Sequence, residues 1–252
     1  MLPKRIYLFL TLLIVGFSAC RNEVTPVAEP PGLIREQTSE TAGASEPVII
    51  PSTGEGNFEN LVADFESKDR VIWQKPDMVI ARLGDLRGKT VADIGAGSGY
   101  FTFRLVPKAK KVIGIDIDPR FITFMDSVKV RLPKQYQDQF ESRLARPDDP
   151  LLKPGEADAV VIVNTYAYIQ NRVQYLKTLH KGMSDNGRLL IIDFKKNNLP
   201  IGPPVEFKVS QSQVEQELRS AGFTLASIDN ESLDYQYIVL AEKKSAEMTQ
   251  ER

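Results

Sequence analysis

Cysteine and histidine are nearly absent from this sequence of 252 residues, which contains one of each. A single cysteine, Cys20, cannot form a disulfide framework, and it offers no cysteine cluster for a metal ion. With His180 as the only histidine, histidine-dependent catalytic triads and His/Cys zinc sites are poorly supported. The sequence therefore predicts no metal site and argues against several enzyme classes.

A phosphate-binding loop of the form G-x-x-x-x-G-K-[ST] is also missing, which argues against nucleotide hydrolysis by phosphate-loop enzymes. Charge of one sign is not in excess, because the chain has 32 basic and 33 acidic residues and a net charge of −1. The two signs are interspersed, so the chain presents no basic field for a polyanion. We therefore expect no nucleic-acid partner.

The amino terminus has the pattern of an export signal. Two basic residues precede an apolar run over residues 6–17, which ends shortly before Cys20. A membrane-spanning helix needs about 20 apolar residues, so this shorter run predicts a signal peptide over residues 1–19. An uncleaved anchor is one alternative, and a plain signal followed by a chance cysteine is another.

The stretch Phe17-Ser18-Ala19-Cys20 resembles the lipobox of bacterial lipoproteins. The resemblance implies cleavage before Cys20 and attachment of lipid to its sulfur. On this basis we expect an exported protein that is anchored to a membrane of the bacterial cell envelope through the lipid on Cys20.

Residues 20–57 change in composition to Pro, Glu, Thr, Ser and Gly. Such a segment buries too little apolar surface to offset its ordering entropy, so we predict a flexible tether after the lipidated cysteine. A folded domain is predicted over residues 58–244, and a frayed polar tail over residues 245–252.

Within the predicted domain, apolar residues at helical spacing indicate helical structure over residues 58–86, and strands and helices then alternate. Alternation of this kind predicts an α/β fold, a Rossmann-like doubly wound sheet that is mostly parallel. The last two strands are joined by only six residues, too few for a crossover, so they should form an antiparallel hairpin. The seven predicted strands are 90–94, 111–116, 140–145, 158–164, 188–194, 223–228 and 235–241. The later helices are predicted at 99–106, 119–131, 168–182 and 211–221.

A glycine-rich turn follows the first predicted strand. Gly95, Gly97 and Gly99 lie between the strand that ends near Asp93 and a helix that begins at Tyr100. Glycine leaves backbone N–H groups open to close approach by a ligand at the carboxyl edge of the sheet. The spacing is G-x-G-x-G and differs from the G-x-G-x-x-G of dinucleotide-binding folds. A purely structural tight turn is the alternative interpretation.

An acidic residue, Asp116, ends the second predicted strand. A carboxylate at this position suits a ribose, because it can accept hydrogen bonds from two adjacent hydroxyls. Asp118 directly precedes Pro119 and a predicted helix, so it fits the role of helix cap better. Strand, glycine turn, helix, strand and acid together indicate a nucleoside-binding half-fold.

Three segments carry a resemblance to the class I S-adenosylmethionine-dependent methyltransferases. VADIGAGSG at 91–99 resembles their glycine-rich first motif, GIDID at 114–118 their acidic second motif, and ADAVVIVNTY at 157–166 the strand that leads into their active site. The terminal antiparallel hairpin is their topological mark. The resemblance covers about residues 58–244, and it implies S-adenosylmethionine as the cofactor.

Carried over residue by residue, the resemblance implies that Asp93 anchors the methionine amine and that Asp116 holds the ribose. It implies that Ile117 lies against the adenine and that Asp148 meets the adenine amino group, with Arg146 as the alternative at that position. The cofactor-binding residues implied in this way are Asp93, Gly95, Gly97, Gly99, Asp116, Ile117, Asp148 and Asn164.

Catalytic residues are harder to name from the sequence, because methyl transfer needs mainly alignment of the reacting groups. Asn164, Tyr166 and Tyr168 follow the fourth strand at the substrate edge and are the weak candidates. His180 fits a surface or capping role near a helix end. Asp193, at the end of the fifth strand, either faces the substrate or caps a loop.

The sequence therefore predicts a methyltransferase that acts on an unidentified small-molecule or lipid-like acceptor. The alternative is a non-catalytic binding module that kept the fold, since export would separate the domain from a cofactor made in the cytoplasm. A nicotinamide oxidoreductase is a third interpretation, and both the G-x-G-x-G spacing and the terminal hairpin argue against it.

Overall fold

The computed structural model describes residues 58–245. The predicted signal peptide, Cys20, the tether and residues 246–252 lie outside the described residues. The described residues belong to one compact unit, Pro47–Arg252. Within residues 58–245, no helix is both long and apolar enough to cross a membrane.

Among residues 58–245, seven strands form one sheet in the order β3-β2-β1-β4-β5-β7-β6. Strands β1 to β5 are parallel, while β7 is antiparallel to both of its neighbours, β5 and β6. The predicted fold class, with its terminal hairpin, is confirmed. The strands are β1 Thr90–Ile94, β2 Lys111–Asp116, β3 Phe140–Leu144, β4 Ala157–Val163, β5 Met183–Phe194, β6 Thr224–Asp229 and β7 Gln236–Glu242.

The order of the strands reverses between β1 and β4, because the chain runs outward from β1 to β3 and then returns to β4. In doubly wound sheets, ligands bind in the crevice outside the carboxyl ends of the strands at this switch point. The register pairs Ile94 of β1 with Ile115 of β2 and with Ile162 of β4. The residues that follow these three strands therefore meet at one edge of the sheet.

In the part of the chain that the structure describes, eight α-helices surround the sheet. They are α1 Phe58–Phe65, α2 Arg70–Gln74, α3 Pro76–Ala81, α4 Thr102–Leu105, α5 Pro119–Lys129, α6 Lys134–Gln137, α7 Arg172–Gly182 and α8 Gln211–Ser220. The core lies on both faces of the sheet: Leu176 of α7 and Leu218 of α8 pack on one face, and Val79 of α3 and Met125 of α5 on the other.

The helices differ from the sequence prediction at several places, including the start of α4, which is Thr102 and not residue 99. The helical stretch 58–86 is three helices, and Lys75, with φ +46°, turns the chain between α2 and Pro76 of α3. The helix predicted from residue 168 begins at Arg172, after a 3-10 turn and a left-handed Asn171. Helix α6 was not predicted, since its four residues carry no apolar period.

Candidate functional site

The glycine loop after β1 needs glycine for its backbone. Gly95, Gly97 and Gly99 have φ values of +71°, +54° and +87°, which side-chain-bearing residues rarely adopt. The N–H groups of Gly95 and Ala96 donate to the carbonyl of Ile115 at 2.8 and 3.0 Å, so the loop folds over the end of β2.

The side chains of Thr165 and Phe65 approach this loop closely because Gly95 and Gly97 lack Cβ atoms. A Cβ on Gly95 would overlap the side chain of Thr165, and a Cβ on Gly97 would lie 2.9 Å from Phe65. The loop is therefore in contact with the segment after β4 on one side and with α1 on the other.

Asp116 at the end of β2 is held by the same loop. Its Oδ2 accepts from the N–H of Gly97 at 2.8 Å, and its Oδ1 accepts from the N–H of Asp118 at 3.0 Å. Burial raises the pKa of Asp116. Each carboxylate oxygen retains a lone pair for a ligand hydroxyl. Asp118 caps α5 as expected, accepting from the N–H of Arg120 at 2.9 Å.

Asp93 lies beneath the loop and does not line the cavity described below. It is 2% exposed, and its Oδ2 accepts from the hydroxyl of Thr102 at 2.6 Å. Burial raises the pKa of Asp93 to about 6, and the guanidinium of Arg70 opposes the shift. Asp93 thus places a buried negative charge near the loop, where the charge would attract a ligand cation.

A cavity of about 420 Å³ opens at the carboxyl edge of the sheet, within the usual size range of small-molecule sites. The ends of β1, β2, β4 and β5 all contribute to it. Among its lining residues are Gly95, Gly97, Asp116, Ile117, Asn164, Tyr168 and Asp193. Six of these are predicted site residues, and the seventh is Asp193.

Helix α1 covers one side of the cavity through Leu61 and Phe65. The Phe65 ring stacks on Phe121 of α5 with 5.4 Å between ring centroids. The hydroxyl of Ser98 donates to Glu66, just after α1, at 2.6 Å. The cover is therefore tied both to α5 and to the glycine loop. Sequence periodicity indicated the helix, but not that it closes the site.

Asp193 lies at the end of the cavity opposite Asp116, and it is 2% exposed. Its Oδ1 accepts from the N–H of Phe194 at 2.7 Å and its Oδ2 from the N–H of Ala167 at 3.2 Å. Burial raises the pKa of Asp193 to about 6. Burial, together with the charge of Asp193, raises the pKa of Tyr168. The sequence left Asp193 undecided, and the structure places it in the cavity wall.

Besides Asp93, three predicted site residues lie outside the cavity lining. Asp148 is exposed, with its carboxylate 3.6 Å from Arg146, and it is Arg146 that lines the cavity. Tyr166 is fully buried and donates to Glu217 of α8 at 2.6 Å, so its hydroxyl is engaged in packing the helix layer. The Cβ-free position of Gly99 makes room for the Phe103 ring.

The aromatic rings of His180 and Trp73 are not among those that line the cavity. His180, in the last turn of α7, packs edge-on against Phe223 at 4.9 Å, and burial lowers its pKa. Trp73 packs 5.9 Å from Phe194, a lining residue, and so lies behind the cavity wall.

The residues present fit S-adenosylmethionine. A carboxylate ends β2, a loop in which Gly95 and Gly97 lack side chains follows β1, and the buried carboxylate of Asp93 lies near the end of β1. In the same order, these three features match the ribose diol of the cofactor, the part of the cofactor that approaches the main chain, and its methionine amine.

Comparisons with known proteins show similarity to methyltransferases. Residues 92–189 match the family model described as a methyltransferase domain. A tRNA U34 carboxymethyltransferase of Shewanella loihica is 27% identical over 214 residues, which cover 76% of this chain and 59% of that protein. An uncharacterized protein of Haemophilus influenzae is 30% identical over 139 residues, covering 53% and 52%. The chain thus spans about three fifths or less of the length of these relatives.

Solved structures share the fold. A SAM-dependent methyltransferase from Aquifex aeolicus superposes with a TM-score of 0.68 at 22% identity, covering 73% of this chain and 97% of that one. A putative type 11 methyltransferase from Sulfolobus solfataricus gives 0.55 at 21% identity, covering 68% and 94%. The predictions of a methyltransferase and of S-adenosylmethionine as its cofactor are confirmed. Residues 92–189 therefore match a methyltransferase domain, and residues 58–245 have the fold of S-adenosylmethionine-dependent methyltransferases.

Proposed function

We propose that the protein transfers a methyl group from S-adenosylmethionine to a small-molecule or lipid-like acceptor bound at the Asp193 end of the cavity. The observation that carries the proposal is the cavity itself, which runs along one sheet edge from Asp116 to Asp193. One end suits a nucleoside and the other offers a proton acceptor.

The cofactor end is built from the first two strands. Asp116 would accept the ribose hydroxyls, and Gly95 and Gly97 would allow the ligand to approach the main chain. The buried charge of Asp93 would attract the methionine amine. Ile117 lines the cavity beside Asp116, where it would contact the adenine.

The acceptor end supplies alignment and a base. The bound cofactor supplies an electrophilic methyl on a sulfonium, and displacement at that carbon needs mainly positioning of the nucleophile. A base is needed when the nucleophile carries a proton. Asp193, with a pKa near 6, is ionised at neutral pH and is held in one orientation by two backbone N–H groups. It is suited to accept a proton from a hydroxyl or an amine.

Apolar walls support a small or lipid-like acceptor. Phe65, Phe121, Ile169 and Phe194 line the cavity, and of the described residues that line it, Arg146 alone is cationic. Several relatives are tRNA U34 carboxymethyltransferases, and tRNA is a polyanion. A net charge of −1 with interspersed signs does not favour such a partner.

We also propose that the domain is exported and held at a membrane of the cell envelope by lipid on Cys20. The pattern of residues 1–20 supports this proposal. The domain would then meet acceptors of the envelope, which suits the apolar cavity.

Methyl transfer from radiolabelled S-adenosylmethionine tests the acceptor class. The full-length protein is incubated separately with envelope lipids, with a small-molecule extract and with bulk tRNA. We expect label in a lipid or small-molecule fraction and a loss of at least about 100-fold for Asp193→Asn, since general-base catalysis contributes about 10²–10⁴-fold.

Label in tRNA alone would contradict the acceptor class. Cofactor binding without transfer to any fraction would favour the alternative of a non-catalytic module that kept the fold.

A further inference from the structure

Four polar side chains form a hydrogen-bonded chain from α2 to the cavity. The Nε of Arg70 donates to Gln74 Oε1 at 2.6 Å, and Gln74 Nε2 donates to Gln236 Oε1 at 3.1 Å. Gln236 Nε2 then donates to Asn164 Oδ1. Gln74 and Gln236 are fully buried, on α2 and at the start of β7.

The direction of this chain is set at its first member. A guanidinium can only donate, so Gln74 must turn its oxygen to Arg70 and its NH₂ to Gln236. Gln236 must then accept with its oxygen and donate with its NH₂. Asn164 is left with Oδ1 as the accepting atom, which fixes which way its amide faces.

The other end of the Asn164 amide belongs to the cavity. Asn164 lines the cavity, and its backbone is held in a left-handed conformation with φ +55° by an N–H bond to Ile192 at 2.9 Å. Its Oδ1 also lies 3.5 Å from Gln74 Nε2. Within residues 58–245, Asn164 Nδ2 donates no hydrogen bond. Nδ2 is therefore a donor available to a ligand.

Strand order indicates which part of the cofactor would reach this donor. Along the sheet edge, Asp116 ends β2, Gly95 follows β1 and Asn164 follows β4, and these strands are neighbours. A cofactor with its ribose at Asp116 that crosses the glycine loop would bring its methionine end to Asn164. Arg146, the cationic lining residue, follows β3 on the far side of β2.

We propose that Arg70, Gln74 and Gln236 are positioning residues that fix Asn164 as a donor to the carboxylate of the cofactor. This inference rests on the proposed function. A carboxylate at this point needs such a donor, because the buried Asp93 and Asp193 would otherwise repel it. The guanidinium of Arg70 begins the chain and favours an anion at its other end.

Reversing the chain tests the proposal without removing Asn164. In Gln74→Glu, the new carboxylate still accepts from Arg70 but cannot donate to Gln236, so both following amides turn over. Asn164 then presents Oδ1 to the cavity. Gln236→Glu breaks the chain one step later and should have the same effect, which provides a second variant if either fails to fold.

Calorimetric titration of the full-length protein uses two ligands, S-adenosylmethionine and its decarboxylated form. For both variants we expect affinity for S-adenosylmethionine to fall roughly 10- to 100-fold, the range for hydrogen bonds to charged groups. Affinity for the decarboxylated ligand, which lacks the oxygen acceptor, should stay within about twofold by the same reasoning. Asn164→Asp should show the same selectivity.

Equal loss for both ligands would mean a merely structural role and would overturn the proposal, as would unchanged affinity for both. If the wild-type protein binds neither ligand, the proposed function itself fails, and this inference fails with it.

Discussion

At the scale of single residues, two carboxylates near the site are buried away from water. Asp93 and Asp193 are each 2% exposed, and burial raises the pKa of both to about 6. Burying an ionised carboxylate costs stability unless it is fully compensated. We infer that these charges are retained for ligand binding at the expense of stability.

Asp93→Asn tests this cost. The pKa in the folded state, about 6, lies above the ordinary 3.8, so the folded protein binds the extra proton between these values. The penalty is therefore absent below about pH 4, grows as pH rises to about 6 and is complete above it. The variant should be more stable than wild type by about 1–3 kcal/mol at pH 7.5 and not at pH 4.

The stability of each variant is measured by thermal melts across this pH range. Asp229→Asn is the control, and its effect on stability should have the opposite sign. Hydrogen bonds from Ser232 lower the pKa of Asp229 to about 2, so its loss should destabilise the protein at pH 7.5. A gain for Asp93→Asn that does not change with pH would contradict the account.

The positions of site residues were predictable where a motif carries them. Asp116, Gly95 and Gly97 line the cavity, and they could be singled out because the end of a strand and a glycine-rich turn can be recognised locally. Asp148 was misplaced relative to the cavity because the turn between Arg146 and Asp149 closes as a local bridge and directs the Asp148 side chain to solvent. Gln74 and Gln236 gave no signal, since 162 positions separate them and only the fold joins them.

At the scale of elements, the loop after β1 combines two requirements, a left-handed backbone and the absence of a side chain. Gly95 meets both, since its φ is +71° and a Cβ there would overlap Thr165. Gly88 meets only the first, with φ +77° and no atom within 4 Å of an added Cβ. Substitutions at Gly88 and Gly95 therefore separate the cost of backbone strain from the effect of an added side chain on the site.

Gly95→Ala and Gly88→Ala should differ in ligand binding. Both carry the cost of a left-handed residue, about 1–2 kcal/mol. Only Gly95→Ala should also displace Thr165 and abolish detectable binding of S-adenosylhomocysteine, measured by calorimetry beside a thermal melt. Equal binding by the two variants would show that the loop does not contact the cofactor.

Element existence followed from periodicity, while element ends did not. The strands and the terminal hairpin were predicted because alternation and loop length are local properties. The break at Asn171 was missed, although asparagine adopts a left-handed conformation more often than most residues do. The role of α1 as a cover was missed because its apolar period is the same whether it faces a core or a cavity.

At the scale of the whole molecule, the proposed export through Cys20 can be tested independently of the enzyme. Metabolic labelling with radioactive palmitate in a bacterial host should label the wild-type protein and not Cys20→Ala. The labelled protein should fractionate with membranes. Absence of label from wild type, or equal label in both, would contradict lipid attachment.

The central claim is that the cavity between Asp116 and Asp193 binds S-adenosylmethionine. Its most direct test is calorimetric titration of the full-length protein, with Asp116→Ala as the test variant and Asp118→Ala as the control. Asp118 lies two residues away but caps α5 and does not line the cavity.

We predict saturable binding by wild type and by Asp118→Ala. Asp116→Ala should bind at least about 100-fold more weakly, because two hydrogen bonds to a charged acceptor are lost. Binding unaffected by Asp116→Ala, or no binding by the folded wild-type protein, would contradict the account.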